Sequence, residues 1–159
     1  MTAFLSTYVN KVDKKGRVSV PASYRSVLSS DGFNGIVAYA SVNLPAIEAF
    51  GRAQLEELSK RQFGQSLDAG DFERLLVGRT GDSLVETILA MVHELPFDGE
   101  GRISLPDTLA RHAVLDDRAV FVGRGNRFQI WAPDAHARHQ SEALERIRER
   151  VARGEASAP

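Results

Sequence analysis

The sequence predicts a β-rich α+β fold assembled from two tandem copies of one unit. Three observations carry that prediction. The stretch Asp13-Lys14-Lys15-Gly16-Arg17-Val18-Ser19-Val20-Pro21 returns as Asp98-Gly99-Glu100-Gly101-Arg102-Ile103-Ser104-Leu105-Pro106. Asp, Gly, Arg, Ser and Pro keep their places and only apolar residues exchange in the strand after each Arg, which is the mark of internal duplication. Apolar side chains alternate with polar ones through that strand, the period of a half-buried β-strand. Finally, each copy is followed by the same series: a short helical pattern, two strand-like runs and a longer helical pattern.

Residues 4–61 form the first unit, 62–89 a connector and 90–153 the second unit. In a chain of 159 residues each half has roughly 75, a size at which a domain is only marginally able to bury a core of its own. The halves are therefore expected to share one.

In the first unit, residues 4–21 read as a β-hairpin. Three residues ending in Gly16 separate Asp13 from Arg17, as in a three-residue hairpin loop whose last position is left-handed. This register sets Asp13 opposite Arg17, Val12 opposite Val18 and Asn10 opposite Val20. Tyr8, Val12, Val18 and Val20 then face inward, while Lys11, Asp13, Arg17 and Ser19 face outward with Lys14 and Lys15 at the tip. Pro21 ends the strand, and Ala22 to Leu28 forms a short helix with Tyr24, Val27 and Leu28 at helical spacing. After a turn from Ser29 to Gly35, Ile36 to Ser41 and Ala46 to Phe50 are strands. Arg52 to Arg61 is an amphipathic helix.

Gly64, Gly70, Gly78 and Gly81 punctuate the connector, with a helix expected from Asp71 to Val77 and an exposed loop from Gly78 to Ser83. The second hairpin places His93, Leu95, Phe97, Ile103 and Leu105 on one face and Glu94, Pro96, Asp98, Arg102 and Ser104 on the other. Asp107 to Val114 is its short helix, and Ala119 to Val122 and Phe128 to Trp131 are its strands, joined around Gly125-Asn126. Pro133 opens a long helix reaching Arg153, with Leu144, Ile147 and Val151 as a narrow apolar stripe.

Composition excludes several functions. There is no cysteine, hence no disulfide, thiolate metal site or cysteine nucleophile. No apolar run approaches the roughly 20 residues needed to span a bilayer, and the expected location is cytoplasmic. No catalytic constellation is evident and no cofactor is expected. His136 and His139 are spaced i, i+3 without a third ligand and read as a solvated helix face. Gly123-Arg124-Gly125 lacks the setting of a phosphate-binding fingerprint and reads as a turn. Phe128, Ile130 and Trp131 read as core packing rather than a base-stacking platform, with Arg124 and Arg127 as secondary candidates for phosphate contact.

The net charge of −1 argues against coating nucleic acid by charge alone. The distribution is more informative: residues 1–25 carry five cations, Lys11, Lys14, Lys15, Arg17 and Arg25, against one acid, Asp13. Asp13 and Arg17 can be read as a simple cross-strand ion pair beside a turn, worth at most about 1 kcal/mol when exposed. That reading does not explain why Lys14 and Lys15 join Lys11 there, since clustered like charges repel. A cationic ribbon facing a polyanion explains them. A two-stranded ribbon fits the major groove of DNA, where Arg pairs with a guanine edge and Lys holds phosphates. Asp13 then orients the Arg17 guanidinium and does not itself touch DNA.

The doubled Asp-x-x-Gly-Arg, each copy followed by an alternating strand and Pro, resembles the MraZ family of bacterial transcriptional regulators. The units of that family belong to the swapped-hairpin superfamily that also holds AbrB-type regulators and MazE-type antitoxins. The resemblance runs from Phe4 to about Val151. It implies tandem swapped-hairpin barrels, a ring-shaped homo-oligomer, nucleoid association, and double-stranded DNA bound at short direct repeats upstream of the division and cell-wall gene cluster. It carries the motif Arg onto Arg17 and Arg102, supported by Asp13, Gly16, Asp98 and Gly101. Lys11, Lys14, Lys15 and Arg25 complete the expected DNA-binding set. The second tip, Gly99-Glu100, is acidic where the first has two lysines, so unequal contributions from the copies are expected. An antitoxin-like or protein-binding module on the same hairpins is the alternative, disfavoured by the short tail after Arg153.

Overall fold

Beyond the tip, the strand after each repeated Arg does not fold back along its own predecessor. The structure, a computed structural model, describes residues 3–29, 32–64 and 84–154. Its elements are β1 Thr7–Lys11, β2 Arg17–Ser19, α1 Ala22–Leu28, β3 Gly35–Ala40, β4 Ala46–Phe50 and α2 Arg52–Gly64, then α3 Leu84–Met91, β5 His93–Pro96, β6 Arg102–Ser104, α4 Asp107–His112, β7 Arg118–Gly123, β8 Phe128–Trp131 and α5 Pro133–Ala152. The short helices, the paired strands that follow them and the long C-terminal helix fall where the periodicity predicts. The helix expected at 71–77 and the loop at 78–83 lie outside the described residues.

β1 pairs with β7, β5 pairs with β3, and β4 meets β8 between them, giving an antiparallel six-stranded sheet in the order β1-β7-β8-β4-β3-β5. β2 and β6 form a separate antiparallel ribbon. Each half thus lends its first strand to the other half's sheet and its second strand to a common ribbon. The fold is α+β with antiparallel sheet, and among the described residues no sheet closes into a barrel.

The long hairpin over residues 4–21 is accordingly limited to its tip. Val12 bridges Val18 as the register predicts, and Asp13 N donates to Arg17 O at 2.9 Å. Beyond that, Asn10 aligns with Ala119 instead of Val20. Val20 N donates to Gly101 O at 3.1 Å, and Leu105 N to Gly16 O at 2.9 Å. The reason is burial. The crossing drives Val18, Val20, Ile103 and Leu105 into one cluster with Tyr24, Leu28, Ile36, Leu109, Phe121 and Phe128. Each large apolar side chain removed from water there contributes roughly 1.5–3 kcal/mol, so the shared core expected of two small halves is what the strands build.

A smaller cluster on the opposite sheet face holds Trp131, Val120, Val122 and Ala46. The start of α5 seats on it: His139 stacks on Trp131 at 4.7 Å between ring centroids, and His136 meets its edge at 6.1 Å. The histidines are therefore packing residues, not the solvated face that their spacing suggests. Burial, with Arg124 and His139 nearby, lowers the His136 pKa. Farther along α5, Leu144, Ile147 and Val151 stand exposed.

Candidate nucleic-acid interface

Each repeated tip is a turn closed around a carboxylate. Asp13 Oδ1 accepts from the backbone N–H of Lys15 at 2.9 Å and of Arg17 at 2.8 Å, while Oδ2 accepts from Arg17 Nε at 2.7 Å. The second tip repeats this arrangement: Asp98 Oδ1 accepts from Glu100 N at 2.8 Å and Arg102 N at 2.9 Å, and Oδ2 from Arg102 Nε at 2.7 Å. Gly16 and Gly101 hold φ of 79° and 75°, the left-handed conformation that closes the loop and that a Cβ disfavours. The Arg17 backbone N–H, helped by the Arg17 side chain and Lys15 N–H and opposed by desolvation, holds the Asp13 carboxyl below its usual range. Arg102 does the same for Asp98.

With Nε committed to Asp, the outer guanidinium nitrogens of Arg17 have no partner among the described residues. A planar fork fixed at one end and open at the other is suited to two-point recognition of a base edge or phosphate. Arg102 is similarly held, but its Nη1 lies 3.7 Å from Glu100 Oε2, which partly neutralises it.

The β2–β6 ribbon brings the copies together. Arg17 is opposite Ser104 and Ser19 is opposite Arg102, flanking the Val18–Ile103 pair. Val18 and Ile103 face the core, so alternation turns Arg17, Ser19, Arg102 and Ser104 to the other side. Arg17 and Arg102 are diagonal neighbours across the ribbon, a separation of roughly 7–8 Å. Sequence reasoning treated the arginines as belonging to two separate hairpins. Lys11, Lys14 and Lys15 are exposed around the first tip.

Arg25 is placed differently from what its position in the chain suggests. Its Nε donates to Val20 O at 3.1 Å, and its Cζ and Nη1 lie 2.8 Å from where a Cβ on Gly101 would stand. The cation counted with the first copy thus sits against the second tip. There it borders an open groove of about 550 Å³ lined by Ser26, Asn34, Phe97, Asp98 and Gly99 among others.

Arg124 and Arg127 are engaged in a polar network. Arg127 Nε donates to the buried Glu48 at 3.1 Å, Gln129 Nε2 donates to Glu48 Oε2 at 2.9 Å, and Arg124 Nε and Trp131 Nε1 donate to Gln129 Oε1 at 3.1 and 3.0 Å. A cation near the first tip that sequence reasoning passed over is Arg118, which the β1–β7 register sets opposite Lys11. No local pattern could reveal it, because the two residues come from different halves. Among the described residues, no group of three or more His, Asp or Glu side chains could hold a metal ion, and no helix is long and apolar enough to cross a membrane.

Comparison with known proteins points to the family that the sequence resembles. A family model described as "MraZ protein, putative antitoxin-like" matches residues 88–154. The chain is 43% identical over 143 residues to the transcriptional regulator MraZ of Rickettsia akari (strain Hartford), covering 90% of each chain. It is 44% identical over the same length to the transcriptional regulator MraZ of Rickettsia rickettsii (strain Sheila Smith), again with 90% of each covered. With 43–44% identity over 90% of its length, the chain belongs to the MraZ family.

Proposed function

We propose that this chain is a sequence-specific DNA-binding transcriptional regulator that acts without catalysis. The observation that carries the reading is the outward face of the β2–β6 ribbon, where two arginines are each fixed through Nε by a carboxylate. Arg17, with its outer donors open, reads a base edge in the major groove. Lys11, Lys14 and Lys15 hold phosphates, and Arg25 and Arg102 extend the contact toward the second tip. Asp13, Gly16, Asp98 and Gly101 build the turns.

The targets are short direct repeats upstream of the division and cell-wall gene cluster, and the setting is the cytoplasm and nucleoid. In this reading units 4–61 and 90–153, joined by the 62–89 connector, are intertwined swapped-hairpin domains. Their reciprocal strand exchange supports that assignment. One ribbon spans few base pairs, each worth about 1–3 kcal/mol of discrimination. A ring-shaped homo-oligomer overcomes this by placing several ribbons on successive repeats, and the exposed Leu144, Ile147 and Val151 offer an apolar contact for a neighbouring subunit.

The test is an anisotropy titration of upstream DNA against scrambled DNA at two salt concentrations. Arg17→Ala should lose about 5- to 150-fold in preference for the upstream DNA, the equivalent of one two-point base contact, with its oligomeric state unchanged. If the parent protein shows no preference for upstream DNA, the antitoxin-like reading suggested by the family description replaces this one.

A further inference from the structure

Lys11 and Arg118 lie directly opposite each other across β1 and β7, and both are exposed. The ladder bond from Val12 N to Asp117 O, 2.8 Å, makes the adjoining Lys11–Arg118 position a non-hydrogen-bonded pair. In such pairs the Cα atoms are about 4.5 Å apart and the side chains are closest. Like charges placed so are destabilising. Among the described residues neither cation forms an ion pair, and neither Asp116 nor Asp117 bridges to Arg118.

Protection of a sheet edge does not account for the pair. A lysine on edge strand β1 would guard against edge-to-edge association, but Arg118 belongs to β7, an interior strand flanked by β1 and β8. The Val12–Val18 bridge turns Val12 inward. By alternation Lys11, Asp13 and Arg17 project to the same outward side. Arg118, as the cross-strand partner of Lys11, joins them there.

We infer that Lys11 and Arg118 form a phosphate-binding clamp beside the first tip, so that the second half of the chain contributes directly to the contact made by the lysines of the first. The occupant is a backbone phosphodiester of DNA, whose charge relieves the repulsion between the two cations. The inference rests on the DNA-binding reading above and adds to it a residue from the other half.

The experiment compares the full-length parent with Arg118→Ala and Arg118→Lys on upstream and scrambled DNA across a salt series, with thermal melting of each protein. Arg118→Ala should weaken both DNAs by the same factor and lower the slope of log affinity against log salt by about 0.9. Its deficit should therefore shrink roughly 3.5-fold between 50 and 200 mM salt. Arg118→Lys should restore the slope, and melting of Arg118→Ala at low salt should be unchanged or higher, because a repulsion has been removed. An unchanged slope overturns the clamp. So does a weakened Arg118→Ala that melts lower and is not rescued by lysine.

Elution from heparin separates this inference from the functional reading. If the parent binds no DNA yet Arg118→Ala leaves heparin at lower salt than the parent, DNA binding fails and the clamp stands as a polyanion site. Co-elution of the two overturns the clamp.

Discussion

Val18 and Ile103 face each other at the centre of the β2–β6 ribbon, one from each half, and both are almost wholly shielded from water. The ribbon's inner face is thus the seam of the core, and its outer face carries the motif arginines. The same three residue pairs serve the core on one side and present the motif arginines on the other.

Shortening Ile103 to alanine should therefore cost about 2–5 kcal/mol, the range for a buried large-to-small change. It should destabilise both halves together. Urea unfolding followed by circular dichroism and by emission of Trp131 should give one coincident transition in both parent and variant. Two separated transitions would show that the halves fold independently.

The tips should be insensitive to pH across the physiological range. Hydrogen bonds from the Arg17 and Arg102 backbones depress the Asp13 and Asp98 pKa values below the ordinary 3.8. A depressed carboxylate contributes its ordering above the unfolded pKa and loses it as pH falls through the folded one. NMR titration of the two carboxyl carbons should give midpoints under 3.8, with no change in DNA affinity assignable to them between about pH 5 and 8. Asp13→Asn keeps an acceptor for the backbone donors but loses the charge that holds Arg17. Its preference for upstream DNA should drop while binding to scrambled DNA holds steady or strengthens.

Gly16 and Gly101 occupy the same backbone conformation, yet their substitution should have different consequences. Alanine at either position should destabilise by about 1 kcal/mol for its left-handed φ. Only at Gly101 would the added Cβ meet the Arg25 guanidinium, at 2.8 Å. The guanidinium can swing away, so the extra effect falls on binding. Gly101→Ala should reproduce the reduced salt slope of Arg25→Ala, whereas Gly16→Ala should keep the parental slope. Equal slopes for both glycine variants would remove Arg25 from the DNA contact.

Val114 should be a site of easy stabilisation. It follows the Ala113 cap of α4 in the left-handed region at φ 53°, is 73% exposed, and is β-branched, the kind of residue least suited to that conformation. Val114→Gly should gain about 1 kcal/mol, or about 2–4 °C in melting temperature, without altering DNA binding. A lower melting temperature would show that the Val114 side chain has a stabilising contact after all.

Local features were legible in the sequence and distant pairings were not. The Asp13–Arg17 closure could be read because both residues and the left-handed Gly16 lie within one turn. Most helix and strand positions followed from periodicity, which local backbone geometry dictates, but α3 at Leu84–Met91, across the border between the expected connector and the second unit, did not. What the alternation of Tyr8, Val12 and Val18 could not specify was which strand each would join. Any strand with the complementary buried face satisfies the same pattern, and packing of the second half decided between them. Arg25 was recognised as a cation but assigned to the nearer tip, since its contact with Gly101 depends on that exchange. Arg118 was invisible for the same reason. His136 and His139 looked solvated because their spacing says nothing of Trp131 beneath them.

The exchange of β1 and β5 also bears on how the chain is made. Thr7 pairs with Val122 and Lys11 with Arg118, so the first strand emerges from the ribosome long before its partner exists. Until β7 follows, the backbone donors of β1 and the apolar face of β2 remain open to water, other chains or chaperones. Late closure of distant pairs slows folding and exposes strand edges. The basic tip beside β1, with Lys11, Lys14, Lys15 and Arg17, gives the waiting segment a net positive charge that discourages nascent copies from pairing with one another.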